Sequence, residues 1–131
     1  MQESEENIYK EEFWGRKIGV FDSGIGGLTV LKVLKKLLPS ESYVYLGDTA
    51  RLPYGTKSRE TVIKYSESLT RALLRHDPDA IVVACNTAST HALDSVKKLC
   101  GDIPVIGMIE PAAKAAVKAT KFGRIAVIAT A

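Results

Sequence analysis

Cys85 stands directly after an apolar run, Asp79–Ala84, and directly before Asn86 and Thr87, where a helical pattern begins. Helix N-termini stabilise thiolates, so a cysteine in this place can serve as base, acid or nucleophile. The competing reading is a small hydrophobe at home in a sheet. Two hydrogen-bonding residues after Cys85 favour the edge of a site over mid-strand packing. A phosphatase-like loop would need Arg where His91 stands, and no Cys-x-x-Cys redox pair is present. A second group of polar residues, Asp22-Ser23-Gly24-Ile25-Gly26-Gly27, follows another apolar run. A dinucleotide fingerprint would need glycine at Thr29, and a P-loop would need a lysine after the glycines. The glycines are equally explained as a tight turn from strand to helix. With Asp22 and Ser23 at its mouth and helix amides behind, the turn also suits a carboxylate or an ammonium. The third group, Arg51-Leu52-Pro53-Tyr54-Gly55-Thr56-Lys57-Ser58, holds a Pro-Tyr-Gly turn that could aim amides and a phenol at the same place. Cys100 lies on the inner stripe of a helix and reads as structural. His76 and His91 show no metal-ligand spacing, and Glu110 before Pro111 is equally a helix-start charge.

The elements that must position these residues alternate. Lys17–Phe21, Ser42–Leu46, Asp79–Ala84, Pro104–Met108 and Arg124–Ala129 read as strands. Several are apolar at successive positions, as expected where a parallel sheet is covered on both faces. Between them, Leu28–Leu38 is a helix stopped by Pro39. Ser58 caps a second helix running to about His76, with Val62, Leu69 and Leu73 inward. Ala88–Cys100 ends at Gly101, and a helix with Pro111 in its first turn reaches about Lys121. The order β-α-β-α-β-α-β-α-β predicts an α/β fold, an open parallel sheet with helices on both faces. In such sheets ligands bind beyond the carboxyl ends of the strands, which is where Asp22, Asp48, Cys85 and Glu110 fall. The last strand ends with the chain, without the helix that should cover it, so the sequence reads as a fragment.

Composition limits the alternatives. The 131 residues are 46% hydrophobic and 25% charged, enough apolar surface for one real core. They exclude collagen, a disordered tail and a disulfide-stapled miniprotein. No apolar run approaches the roughly 20 residues that span a bilayer, and the acidic first sixteen residues lack the apolar centre of a secretory signal. Two cysteines without a paired spacing suggest free thiols in a reducing cytoplasm. The net charge of +3 is compatible with an anionic substrate and argues little for nucleic acid.

Taken together, Ile18–Leu28, Tyr45–Ser58 and Ala84–Ala88 resemble the motifs of the glutamate racemases, and the likeness runs from about Lys17 to Thr130. The resemblance implies an aspartate/glutamate-racemase-type enzyme that interconverts L- and D-glutamate without cofactor or metal and supplies peptidoglycan synthesis. It implies two similar α/β domains with the substrate between them and one catalytic cysteine from each. By that pattern Cys85 is one of two bases, and Asp22 assists the thiol or the substrate ammonium. Ser23, Pro53, Tyr54, Gly55, Asn86 and Thr87 match substrate-binding positions, and Thr130 falls where a further contact is expected. The implied division is an acidic extension (residues 1–15), a first racemase domain (16–120) that is incomplete without a C-terminal return, and a linker with the first strand of a second domain (121–131). The implied partner is a small molecule, glutamate, with no nucleic acid and no membrane; a homodimer of the full-length form stays open.

One departure matters. The second cysteine of the family lies in a Gly-Cys-Thr-His motif that nothing here matches, and Cys100 has the wrong neighbours to replace it. The 131 residues alone are therefore expected to be inactive. Three other readings remain open at this point: a racemase of aspartate or another dicarboxylic amino acid, a non-catalytic amino-acid-binding domain, and a cysteine hydrolase, for which no histidine is evidently placed.

Overall fold

The computed structural model describes residues 15–129. Its centre is a four-stranded parallel sheet in the order β2-β1-β3-β4. β1 is Lys17–Asp22, β2 Ser42–Gly47, β3 Ala80–Val83 and β4 Val105–Ile106. The helices are α1 (Leu28–Leu37), α2 (Arg59–Leu74), α3 (Asn86–His91), α4 (Leu93–Cys100) and α5 (Ile109–Ala119), with one 3-10 turn at Tyr54–Thr56. The apolar runs of β1 and β3 are continuous because each of their faces meets a different layer. Phe21, Ile81 and Val83 join Val62, Leu69 and Leu73 of α2 and Val96 of α4 on one side. Ile18, Val20, Val82 and Ala84 meet Val30, Leu31 and Leu34 of α1 and Met108 on the other. Helices therefore cover both faces, as the alternating pattern predicts.

Local signals set several boundaries. The Ser58 side chain accepts from Thr61 N at 3.3 Å and caps α2, and Val62, Leu69 and Leu73 are buried. Other boundaries differ from the sequence reading, each for a physical reason. The expected helix Ala88–Cys100 begins two residues earlier and breaks at Ala92, whose φ of −116° leaves the helical range. Just before the break the Thr90 hydroxyl donates to the Asn86 carbonyl at 2.9 Å, a back-bond that bends helices. The expected strand Pro104–Met108 shrinks to two residues. Pro104 has no amide to give a ladder, and Met108 N donates instead to the buried Ser89 hydroxyl at 2.9 Å, which itself donates to Val83 O at 3.1 Å.

The expected fifth strand, Arg124–Ala129, is corrected outright: residues 124–129 form no strand, and Ile128 is fully exposed. A parallel ladder needs a neighbouring strand to receive its hydrogen bonds, and among the described residues no strand pairs with this segment.

Candidate functional site

Each element ends its strand at the same edge of the sheet, and there the polar residues gather. Asp22 closes β1, is paired in register with Gly47 of β2, and is buried. Its Oδ2 accepts from Gly27 N at 2.8 Å and Gly24 N at 3.2 Å, so the carboxylate holds the glycine loop closed ahead of α1. Gly27 is forced by contact: a Cβ there would lie 2.6 Å from Asp22 Cβ and 3.0 Å from Ala84 Cβ. The Tyr45 hydroxyl donates to Gly24 O at 3.2 Å, tying the loop to β2. Burial, and then the Asp22 charge, push the Tyr45 phenol above its ordinary range. Ser23, at the mouth of the loop, is half-buried.

Beyond β2, Asp48 N donates to Asp22 O at 3.0 Å. The buried Asp48 Oδ2 accepts from the Tyr54 hydroxyl in a short hydrogen bond and from Arg51 Nε at 2.7 Å. Arg51 lies over the Tyr65 ring, 4.2 Å from its centroid, and the Tyr65 and Tyr54 ring centroids are 5.7 Å apart. The turn thus behaves differently from its sequence reading. The Tyr54 phenol does not reach across the site; it is 1% exposed and turned inward onto Asp48. The backbone of Pro53, which is exposed, and of Gly55, which is half-buried, is left at the edge. The Leu52–Pro53 peptide bond is cis.

Cys85 leaves β3 at the level where Ala84 N donates to Phe21 O at 2.8 Å. It is the N-cap of α3, its Sγ accepting from Ala88 N at 3.4 Å, and it is 7% exposed. Tyr54 belongs to the same buried cluster, and the 3-10 turn packs against α3. Asn86 is exposed and Thr87 half-buried at the same end. Leu52 touches the glycine loop, since a Cβ on Gly24 would lie 3.3 Å from Leu52 Cδ2. The three groups of residues separated in sequence are therefore one edge in space. Thr130 lies outside the described residues. Cys100 is buried at the far end of α4, and desolvation pushes its thiol up, which fits packing. A groove of about 300 Å³ between Leu93, Ile106 and Pro111 lies beside β4 and does not include Cys85.

The sequence places Asp48 at a strand end and Arg51 in the Pro-Tyr-Gly segment without giving either a role, and it does not single out Tyr45 or Ser89. The signal for Asp48 was an acid immediately after a strand, with Arg three and Tyr six positions later; only folding shows that they converge. Among the described residues no three His, Cys, Asp or Glu side chains gather to hold a metal ion, and no helix is long and apolar enough to cross a membrane.

The Tyr54 contact makes a testable claim about pH. Burial first, then the hydrogen bond to Asp48 and its charge, push the phenol far above the ordinary value of 10.0, against a smaller lowering by the Arg51 charge. The folded state thus keeps a proton that the unfolded chain releases. Its contribution to stability is intact below pH 10 and is lost as the pH rises beyond it. In an ultraviolet difference titration Tyr54 should ionise last, and Tyr54→Phe should remove that late step. Ionisation of Tyr54 together with the other phenols would show that the Asp48 contact is absent.

Residues 18–131 match the family described as Asp/Glu/Hydantoin racemase. The chain belongs to that family. Among curated racemase relatives, the glutamate racemase of Chlorobaculum tepidum is 56% identical over 113 residues, 86% of this chain and 42% of that protein. The glutamate racemase of Geobacter metallireducens is 53% identical over 115 residues, 88% of this chain and 42% of that protein. The crystal structure of the Thermus thermophilus glutamate racemase in complex with β-chloro-D-alanine aligns with a TM-score of 0.72 at 53% identity, over 77% of this chain and 39% of that one. The Francisella tularensis glutamate racemase in complex with D-glutamate aligns with a TM-score of 0.76 at 46% identity, over 79% and 40%. The chain spans about 42% of the length of these curated relatives.

Proposed function

We propose that this chain is the first domain of a glutamate racemase that works with two cysteines and no cofactor. The observation that carries the reading is Cys85: a thiol capping α3 at the carboxyl edge of the sheet, beside the Asp22 loop, in a chain more than half identical to curated glutamate racemases. Racemisation must remove the α-proton from one face of the amino acid and return one to the other face. Two opposed acid–base groups are the minimum. The Cys85 thiolate takes the α-proton; a thiol across the cleft gives its own proton to the opposite face of the carbanion and becomes the thiolate that serves the reverse reaction. Amide and hydroxyl donors at Ser23, Asn86 and Thr87 steady the carboxylate as charge develops, while the Pro53–Tyr54–Gly55 turn binds the substrate in the ground state and the transition state alike. Exclusion of water by a closed cleft strengthens these interactions. On this reading Asp22, as well as holding the glycine loop, assists the thiol or the substrate ammonium.

The opposing thiol is absent from this chain, as is the Gly-Cys-Thr-His motif that would carry it. On this reading residues 16–120 form the first domain, residues 121–131 lead to the second, and Thr130 contributes from there. The full-length protein acts on free glutamate in the cytoplasm, and its D-glutamate enters peptidoglycan synthesis. The test is racemisation in deuterated water. The full-length protein should form D-glutamate carrying deuterium at the α-carbon, whereas the 131 residues alone should form none. D-glutamate made by the 131 residues would overturn the two-cysteine mechanism. A full-length protein that leaves the α-proton in place would overturn the function.

A further inference from the structure

Asp48 is a buried carboxylate with no role in the proton transfers above, at 7% exposure. A buried charge is costly unless donors hold it, and this one has two on the same oxygen, the Tyr54 hydroxyl and Arg51 Nε. Arg51 and Tyr54 in turn meet through the Tyr65 ring, which lies under the guanidinium and 5.7 Å from the Tyr54 ring. The four side chains close a circuit around the segment that runs from Asp48 to the 3-10 turn. Asp48 N on Asp22 O joins that circuit to the strand end that holds the glycine loop, and Tyr54 joins it to the cluster containing Cys85. The Arg51 side chain is 35% exposed, and an ion pair open to solvent on one side contributes little net stability, so stability alone does not account for the circuit. What a charged and hydrogen-bonded circuit adds is one fixed geometry for the turn.

We propose that Asp48 is a positioning residue for the racemisation site. It does not touch substrate. It holds Tyr54 and Arg51 so that the Pro53–Gly55 backbone stands at a set place beside Cys85, where the amino acid is received. The proposal rests on the racemase reading, and the experiment separates the two. In the full-length protein, kcat and KM for both glutamate enantiomers are measured for the unmodified protein, Asp48→Asn, Tyr54→Phe and the double variant. Asn keeps an acceptor but loses the charge that draws Arg51; Phe keeps the ring in the core but loses the donor. A turn that binds ground state and transition state alike sets KM, so each single variant should raise KM about tenfold and leave kcat within about threefold. Because both changes break one circuit, the double variant should be no more than about twofold worse than the more affected single variant.

Variants that fold with native circular dichroism and keep their KM would overturn the proposal, leaving Asp48 a structural role only. A fall in kcat at unchanged KM would overturn it as well, because it would place Asp48 in the chemistry. Should Asp48→Asn fail to fold, Tyr54→Phe carries the same KM test. An unmodified full-length protein without racemisation would overturn the racemase reading, and this proposal with it, before any variant is compared.

Discussion

Cys85→Ser in the full-length protein should reduce racemisation in both directions by about a thousandfold, the scale of a lost general base, while glutamate binding changes little. The fold should survive, because the substitution suits the position structurally. Cys85 is the N-cap of α3 and accepts from Ala88 N, and serine is among the preferred N-cap residues. The loss therefore reports the thiol and not the helix. A hydroxyl cannot supply a useful anion at neutral pH, whereas a thiolate can. Steady-state rates with L- and D-glutamate, read beside a binding isotherm, separate the competing readings of this chain. A non-catalytic amino-acid-binding domain should be indifferent to the change. Turnover within about tenfold of the unmodified protein would remove Cys85 from the mechanism.

Gly47→Ala should destabilise the domain by about 3 kcal/mol, the upper part of the range for overpacking a tight contact. A Cβ on Gly47 would be driven into the Gly24 carbonyl oxygen and would lie 3.2 Å from the Tyr45 ring carbon Cε1. The Gly24 oxygen is backbone, and that same atom receives the Tyr45 hydroxyl, so the loop cannot give way without losing its tie to β2. Gly26→Ala is the matched control. Its Cβ would meet only Asp22 Oδ2, at 3.7 Å, and its stability should change by no more than about 0.5 kcal/mol. Denaturant midpoints for the two variants make the comparison. Equal midpoints would show that the glycine loop does not press on the end of β2, and the geometry assigned to Asp22 would fall with it.

Cys85 and Gly47 belong to different links of one chain of cause. Gly47 and Gly27 let the loop approach the strand ends; Asp22 then holds the loop by its amides; and the closed loop stands at the edge from which Cys85 projects. Asp48 continues the same edge through β2 and fastens the turn at Tyr54. Stability and chemistry meet in these few residues because each strand of a parallel sheet delivers its last residue to the same side.

The amino-acid sequence alone determined the alternation of strands and helices, the parallel sheet covered on both faces, the cap at Ser58 and the gathering of Asp22, Cys85 and the Pro53–Gly55 turn at one edge. Those features follow from local information: a run of apolar residues reports burial on both faces, a 3.6-residue period reports one buried stripe, and residues after a strand end lie at its carboxyl edge. Tertiary structure alone decided where the Tyr54 phenol points, which donors hold Asp48, where the helix after Cys85 bends, how Ser89 draws the chain off the sheet at Gly107, and that residues 124–129 carry no strand. Each of these depends on a partner distant in the chain. A phenol turns inward only when a carboxylate from another segment is there to receive it, and a strand forms only beside another. Local pattern carries the burial of an element, but the pairing of polar groups is set when the elements meet.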